Sequence, residues 1–246
     1  MYYIKRINFV IFIKNTHKTM ISIQTFWARL LLQGIIQNNG ETLYRHTTGP
    51  VWWGKYDDKN KYISITDCSG FVNALLCQSF SLTTKDLYDW FGTRRPYAST
   101  YYKSFVDNNG FVGFYNLNNA QIGDFIAIKF LPGTGGGRNT GHIVLIDELP
   151  VIKDQSPPII NDTLQWIVPI IDQSSHHGTS DTRYSDKPYT GLGKGLMRFY
   201  TDKKGILTGY TWSLLNVSLY IDISKHPLII GRLNNINIKP NIPDNI

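Results

Sequence analysis

The chain has two cysteines, and one of them stands where a nucleophile would. Cys68 lies in the run Asp67-Cys68-Ser69-Gly70-Phe71, followed by apolar residues at Val72, Leu75, Leu76 and Phe80. That spacing predicts a helix over 68–80, with Asp67 as its N-cap and Cys68 in its first turn. A cysteine attacks as the thiolate, and the unpaired N–H groups of a helix N-terminus favour negative charge there. The backbone N–H of Cys68 would also face an oxyanion forming on an attacked carbonyl. Gly70 is expected to let a substrate backbone come close. Cys77 falls inside the same predicted helix. It would lie about 13 Å further along the axis, too far from Cys68 for a disulfide.

A thiolate enzyme needs a histidine to form the ion pair and to protonate the leaving group. His142 follows Gly141 and opens the run Ile143-Val144-Leu145-Ile146, which predicts a strand buried on both faces. A third polar group orients such a histidine. Asp172, at the end of a predicted strand over 166–171, is the expected third member, and Gln173, His176 and His177 are its rivals. His176 and His177, with Asp181 near them, have the residue types of metal ligands. Adjacent side chains point apart, however, and no zinc-type spacing accompanies them. No metal and no cofactor is expected.

Three blocks in this order, DCSGFVNALL, QIGDFIAIKF and GHIVLID, resemble the signature blocks of the NlpC family of cell-wall cysteine peptidases. The resemblance spans residues 48–175. It implies a papain-like α+β fold, with a Cys-bearing helix packed on a central antiparallel sheet or half-barrel. It also implies Cys68 as nucleophile, His142 as base, Asp172 as third residue, and cleavage of an amide in peptidoglycan stem peptides. Trp53, Tyr62, Ser69, Gly141, His176 and His177 are the expected substrate contacts. One position departs from the pattern. Val51, in Pro50-Val51-Trp52-Trp53-Gly54, stands where the family carries Tyr. Tyr62 or Tyr56 is expected to supply that ring. The segment SSHHGTSDTRYSDKPYTGLGKG elaborates on the family pattern, and its GLGKG reads as a turn, since it lacks phosphate-loop spacing. Arg94, Arg95 and the tyrosines at 97–102 are candidates for a groove wall.

Positioning these residues requires helices first and a sheet afterwards. Apolar periodicity predicts helices over 20–40, 84–91 and 97–108 besides 68–80, and short strands within 41–66. Strands are predicted over 124–130, 142–146, 166–171, 196–200, 210–214 and 228–232. The Gly-rich 132–137 stretch reads as a hairpin connection, and 150–163 as a surface loop. Segregated helices and strands argue for an α+β fold. The organisation expected is an N-terminal arm and helix (1–40), a catalytic domain (41–233) and a loose tail (234–246). Within the arm, Lys5-Arg6 and the short apolar stretch 7–13 give residues 1–19 the layout of a weak export signal.

Hydrophobic residues make up 42% and charged residues 17%, which excludes a disordered chain. The net charge of +7 favours an anionic partner such as a wall polymer. The basic residues are scattered and form no nucleic-acid motif, so nucleic acid is not an expected partner. No stretch approaches the roughly 20 apolar residues of a membrane span. No pattern fixes an oligomeric state. Wall chemistry would place the protein in the periplasm or outside the cell, with the cytoplasm as the alternative. Three functions compete. One is a peptidoglycan amidase. The second is an acyltransferase, deamidase or secreted effector acting on a non-wall amide or lipid. The third is a catalytically idle binding module.

Overall fold

The computed structural model describes residues 22–57, 59–133, 139–234 and 240–242. The export-like stretch 1–19, most of the Gly-rich connection and most of the C-terminal tail lie outside the described residues.

Helix α1 (Ile23–Gln37) starts at Ser22, whose hydroxyl accepts from the Thr25 N–H at 3.3 Å. Its buried stripe of Ile23, Trp27, Leu31 and Ile35 follows the 3.6-residue period. Strands β1 (Glu41–Tyr44), β2 (Val51–Trp53) and β3 (Tyr62–Thr66) form a small sheet ordered β1-β3-β2, with β1 parallel to β3. Strand β3 runs directly into α2 (Cys68–Phe80) through Asp67. That helix ends at Ser81, whose left-handed backbone (φ 53°) stops it. Helices α3 (Thr84–Phe91) and α4 (Ala98–Val106) follow, α3 closed by a Thr83/Asp86 capping box.

The remaining strands are β4 (Phe111–Phe114), β5 (Phe125–Lys129), β6 (Gly141–Ile146), β7 (Val151–Lys153), β8 (Leu164–Ser174), β9 (Gly191–Thr201), β10 (Leu207–Thr211), β11 (Ile221–Asp222) and β12 (Leu228–Leu233). They form one nine-stranded antiparallel sheet, ordered β11-β10-β9-β8-β6-β5-β12-β4, with β7 added on β8. Alternation puts Ala127, Ile143, Leu145 and Ile171 on one face, in a core with α1, α2 and Tyr101 and Phe105 of α4. Ile126, Val144, Ile146, Val168, Ile170 and Phe199 face the other way and form a second core. The sheet curls around this second core until its ends meet. The Leu207 N–H donates to the Tyr115 carbonyl at 3.0 Å, and the Leu117 N–H to the Gly205 carbonyl at 2.8 Å. Two buried faces explain the unbroken apolar runs of β5 and β6.

This architecture corrects the papain-like expectation of a Cys-bearing helix on a small central sheet. The molecule is mixed and sheet-dominated. A nine-stranded sheet and a three-stranded one stand against four helices among the described residues. Three further expectations change. GLGKG is not a turn: Gly191–Gly195 opens the eleven-residue strand β9, paired residue for residue with β8. The segment 150–163 contains β7 as well as loop. The tail is anchored where Asn241 is described: its carbonyl accepts from Trp27 Nε1 at 2.9 Å, and its N–H donates to the Ser79 carbonyl at 2.7 Å.

Candidate functional site

Cys68 occupies the first turn of α2 and is 4% exposed. Asp67 caps the helix. Its Oδ1 accepts from the Gly70 N–H at 2.7 Å and from the Ser69 hydroxyl at 3.0 Å, and its Oδ2 accepts from Arg95 Nη2 at 2.8 Å. Gly70 has a packing role of its own. A Cβ there would lie 2.0 Å from Thr66 Oγ1, so the missing side chain lets α2 seat against the end of β3.

His142 begins β6, where its side chain shares a face with Val144 and is buried at 5% exposure. Its Nε2 donates to Asp172 Oδ2 at 2.6 Å. That leaves Nδ1 as the ring nitrogen free to face Cys68, whose charge couples to the imidazole. Burial works against protonating this ring. The negative charge of Cys68, the hydrogen bonds to Asp172 and Cys68, and the charge of Asp172 outweigh it, and its pKa is pushed up to about 10. The sulfur otherwise reaches only the Gly141 carbonyl, at a loose 4.0 Å. Trp212 meets the His142 ring edge-on, with centroids 5.4 Å apart.

Asp172 is fully buried and accepts three charge-assisted bonds. His142 and His177 (2.9 Å) share its Oδ2, and Arg183 Nη2 takes Oδ1 at 2.9 Å. Burial would raise its pKa. The charges of His177 and Arg183, and the bonds from both histidines, prevail and hold the carboxyl well below the usual range. His177 Nδ1 meets the Trp212 carbonyl at 2.7 Å. Acceptors therefore face both of its nitrogens. Arg183, also fully buried, grips Asp181 through Nε (2.8 Å) and Nη2 (2.7 Å). Cys68, His142, Asp172, His177, Arg183 and Asp181 thus form one buried cluster.

Strand β9 makes room for this cluster. A Cβ at Gly193 would lie 2.3 Å from Arg183 Nε, and one at Gly195 would lie 2.4 Å from Asp181 Oδ2. The glycines of GLGKG are the floor beneath the network.

A cleft of about 550 Å³ opens over Cys68. Tyr44, His46, Ser69, Arg95, Tyr97 and Gly141 are among its lining residues. Burial and the charges of Cys68, Asp67 and Asp172 push the Tyr44 phenol well above its ordinary pKa. It therefore stays a neutral hydrogen-bond donor beside the sulfur.

Of the residues singled out in the sequence, the structure gathers Cys68, Ser69, Gly141, His142, Asp172 and His177. It does not bring Trp53, Tyr62 or His176 to the cleft. Trp53 turns into the helical core, where its Nε1 donates to the Trp27 carbonyl at 2.9 Å. Tyr62 lays its ring over Gly34 and Gly54 and borders a separate depression with Asn38 and Lys55. Tyr56 packs edge-on against Trp27. His176 is exposed and packs against Tyr184. Gln173 lies on the opposite face of β8 from Asp172 and bonds Ser64 and the Leu43 carbonyl, tying the two sheets together. Tyr44, Arg183 and Trp212 carried no local signal of a site, and Asp181 stood out only as a companion of His176 and His177. The one hint was the density of Asp, His and Arg in the 174–183 segment.

His142, Asp172 and His177 also offer three ligand atoms within 4.8 Å of one another. A cation there would have to displace the protons on both Nε2 atoms, beside the Arg183 guanidinium that holds the other oxygen of Asp172.

Fold and site together define a sheet-dominated mixed protein with a buried Cys–His–Asp array beside a cleft. The chain is 48% identical over 218 residues to an uncharacterized protein of Acanthamoeba polyphaga mimivirus, covering 86% of this chain and 96% of the relative. It belongs to the family of that viral protein. No protein-family model and no solved structure matches the chain.

Proposed function

We propose that the protein is a cysteine hydrolase that cleaves an amide through Cys68, His142 and Asp172. The observation that carries this reading is a helix-terminal sulfur charge-coupled to one imidazole, whose Nε2 bonds a buried carboxylate. The Cys68 thiolate adds to the carbonyl carbon. The oxyanion lies near the Cys68 N–H and within the reach of the Tyr44 phenol. His142 then gives its Nδ1 proton to the leaving amine, and the C–N bond breaks to leave a thioester. His142 next takes a proton from water, hydroxide adds to the thioester, and the thiolate departs with the acid as product.

The likeness of the DCSGF, GD and GH blocks to wall peptidases supports a peptidoglycan stem peptide as the substrate. The relative's source, an amoebal virus, supports a second reading: the same chemistry on a peptide or acyl substrate that is not part of a wall. Purified wild type and Cys68→Ala, given muropeptides and model peptide amides, decide the matter by mass spectrometry of the products. Wild type alone should release a cleaved product. Identical product patterns from the two proteins would sink the reading.

A further inference from the structure

Strand alternation turns Arg198 and Tyr200 of β9 away from the second core, which takes Met197 and Phe199. Two loops, 155–161 and 212–220, cover them. Arg198 is fully buried. Its Nη1 donates to the Ser156 carbonyl at 3.1 Å and the Pro157 carbonyl at 2.5 Å, and its Nη2 donates to the Leu214 carbonyl. The Tyr200 hydroxyl donates to the Pro158 carbonyl at 2.7 Å, and its ring meets Tyr220 edge-on, with centroids 4.9 Å apart. One pair of side chains thus fixes the two loops side by side.

What these loops turn to water is apolar. Val217 is 83% exposed, Leu219 81%, Ile159 56% and Leu215 42%. Neither loop contains a charged residue. The pinned backbone holds these aliphatic side chains outward, and apolar groups gathered at a surface in this way mark an interaction site.

Shape and charge select the partner. Val217 and Leu219 are protruding points on either side of Ser218, not a flat patch. In a protein partner each point needs a matching pocket, whereas fluid acyl chains close round any shape. The charge beneath the loops is positive. Lys153 Nζ donates to Ser156 Oγ at 2.6 Å, and burial and the Arg198 charge hold its pKa below the ordinary value despite the Asp154 charge. Neither Lys153 nor Arg198 has an ion pair among the described residues. With a net charge of +7 on the whole chain, this favours a negatively charged surface.

We propose that loops 155–161 and 212–220 dock the protein on an anionic lipid surface, with Val217 and Leu219 entering the acyl region. The proposal does not depend on the hydrolase reading. It does place the candidate site close to lipid. The second loop begins at Trp212, which meets His142 edge-on, and a Cβ at Gly178, next to His177, would lie 3.4 Å from Leu215 Cγ.

Sedimentation of the full chain with vesicles provides the test. Wild type should pellet with an equal mixture of phosphatidylcholine and phosphatidylserine and less with phosphatidylcholine alone, and added salt should weaken the binding. The double substitution Val217→Asn and Leu219→Asn should lower the partition onto mixed vesicles about tenfold. Ile36→Asn, the same change at an exposed aliphatic of α1, should stay within twofold of wild type. Wild type that does not pellet overturns the proposal. So does a double variant within twofold of wild type, since the binding then belongs to another part of the chain. Wild type that ignores vesicles but self-associates, beside a monomeric double variant, overturns it in favour of a second copy of the chain. Should the double variant not fold, wild type decides. Amide hydrogen exchange over 214–219 should slow when mixed vesicles are added, and unchanged exchange there overturns the proposal.

Discussion

Asp172 has two histidines and an arginine on its two oxygens, where a simple triad would need one histidine. The extra partners keep it ionised in a fully buried place, where an unpaired carboxylate would take up a proton. Two expectations belong at this scale. Removing the thiolate removes the leading cause that raises the His142 pKa, while burial remains. In Cys68→Ala the His142 ring should therefore titrate well below about 10, as followed by NMR of its ring protons. An unchanged titration would mean that the ring does not face the sulfur. Arg183→Met should cost about 3–5 kcal/mol in urea unfolding, since it strands two buried carboxylates, Asp172 and Asp181, without their shared cation.

At the scale of elements, the site is a meeting of three segments. The β3–α2 junction delivers Cys68, the first residue pair of β6 delivers His142, and the end of β8 delivers Asp172. Strand alternation explains why Asp172 faces His142 while its neighbour Gln173 faces the small sheet. Strand β9 then lies beneath the His177–Asp181–Arg183 excursion, which Gly193 and Gly195 allow to approach the backbone. Gly195→Ala should accordingly push Asp181 and His177 off the strand. Amide hydrolysis should drop by an order of magnitude or more, while circular dichroism keeps its strand signal. Wild-type activity in Gly195→Ala would show that the network does not act on His142.

The whole molecule joins two cores through one curled sheet, and α1 closes the helical side. Trp27 is central there. It packs edge-on against Trp53 and Tyr56, accepts from Trp53 Nε1 and donates to the Asn241 carbonyl. Trp27→Ala should cost about 3–5 kcal/mol and release the C-terminal segment, measured by urea unfolding and by proteolysis near Asn241. Stability should also depend on pH at both ends. The carboxyl of Asp172 is depressed in the folded state, so its contribution is full above the unfolded value near 3.8 and is lost as pH falls through the lower folded value. His142 is raised, so its contribution is full below 6.5 and is lost as pH rises through about 10. Unfolding midpoints that stay flat across the acid range in wild type, and match those of Asp172→Asn, would contradict the first of these.

The sequence by itself determined what is local. Apolar periodicity and the Asp67 cap placed α2 with Cys68 in its first turn, and α3 spans the residues predicted for it. The buried runs of β5 and β6 were legible for the same reason, since such patterns depend on neighbours a few residues away. The tertiary structure decided what depends on register and long-range contact. It set Asp172 against both His142 and His177, turned Gln173 to the other face of β8 and left His176 exposed, and it brought Tyr44 and Arg183 to the cluster from segments with no motif. It made GLGKG a strand because β8 offered a full-length partner. It also set the sheet's extent, which no window of sequence encodes, because the bridge between Asn116, just after β4, and Ile206, just before β10, forms only when the sheet curls round its own core.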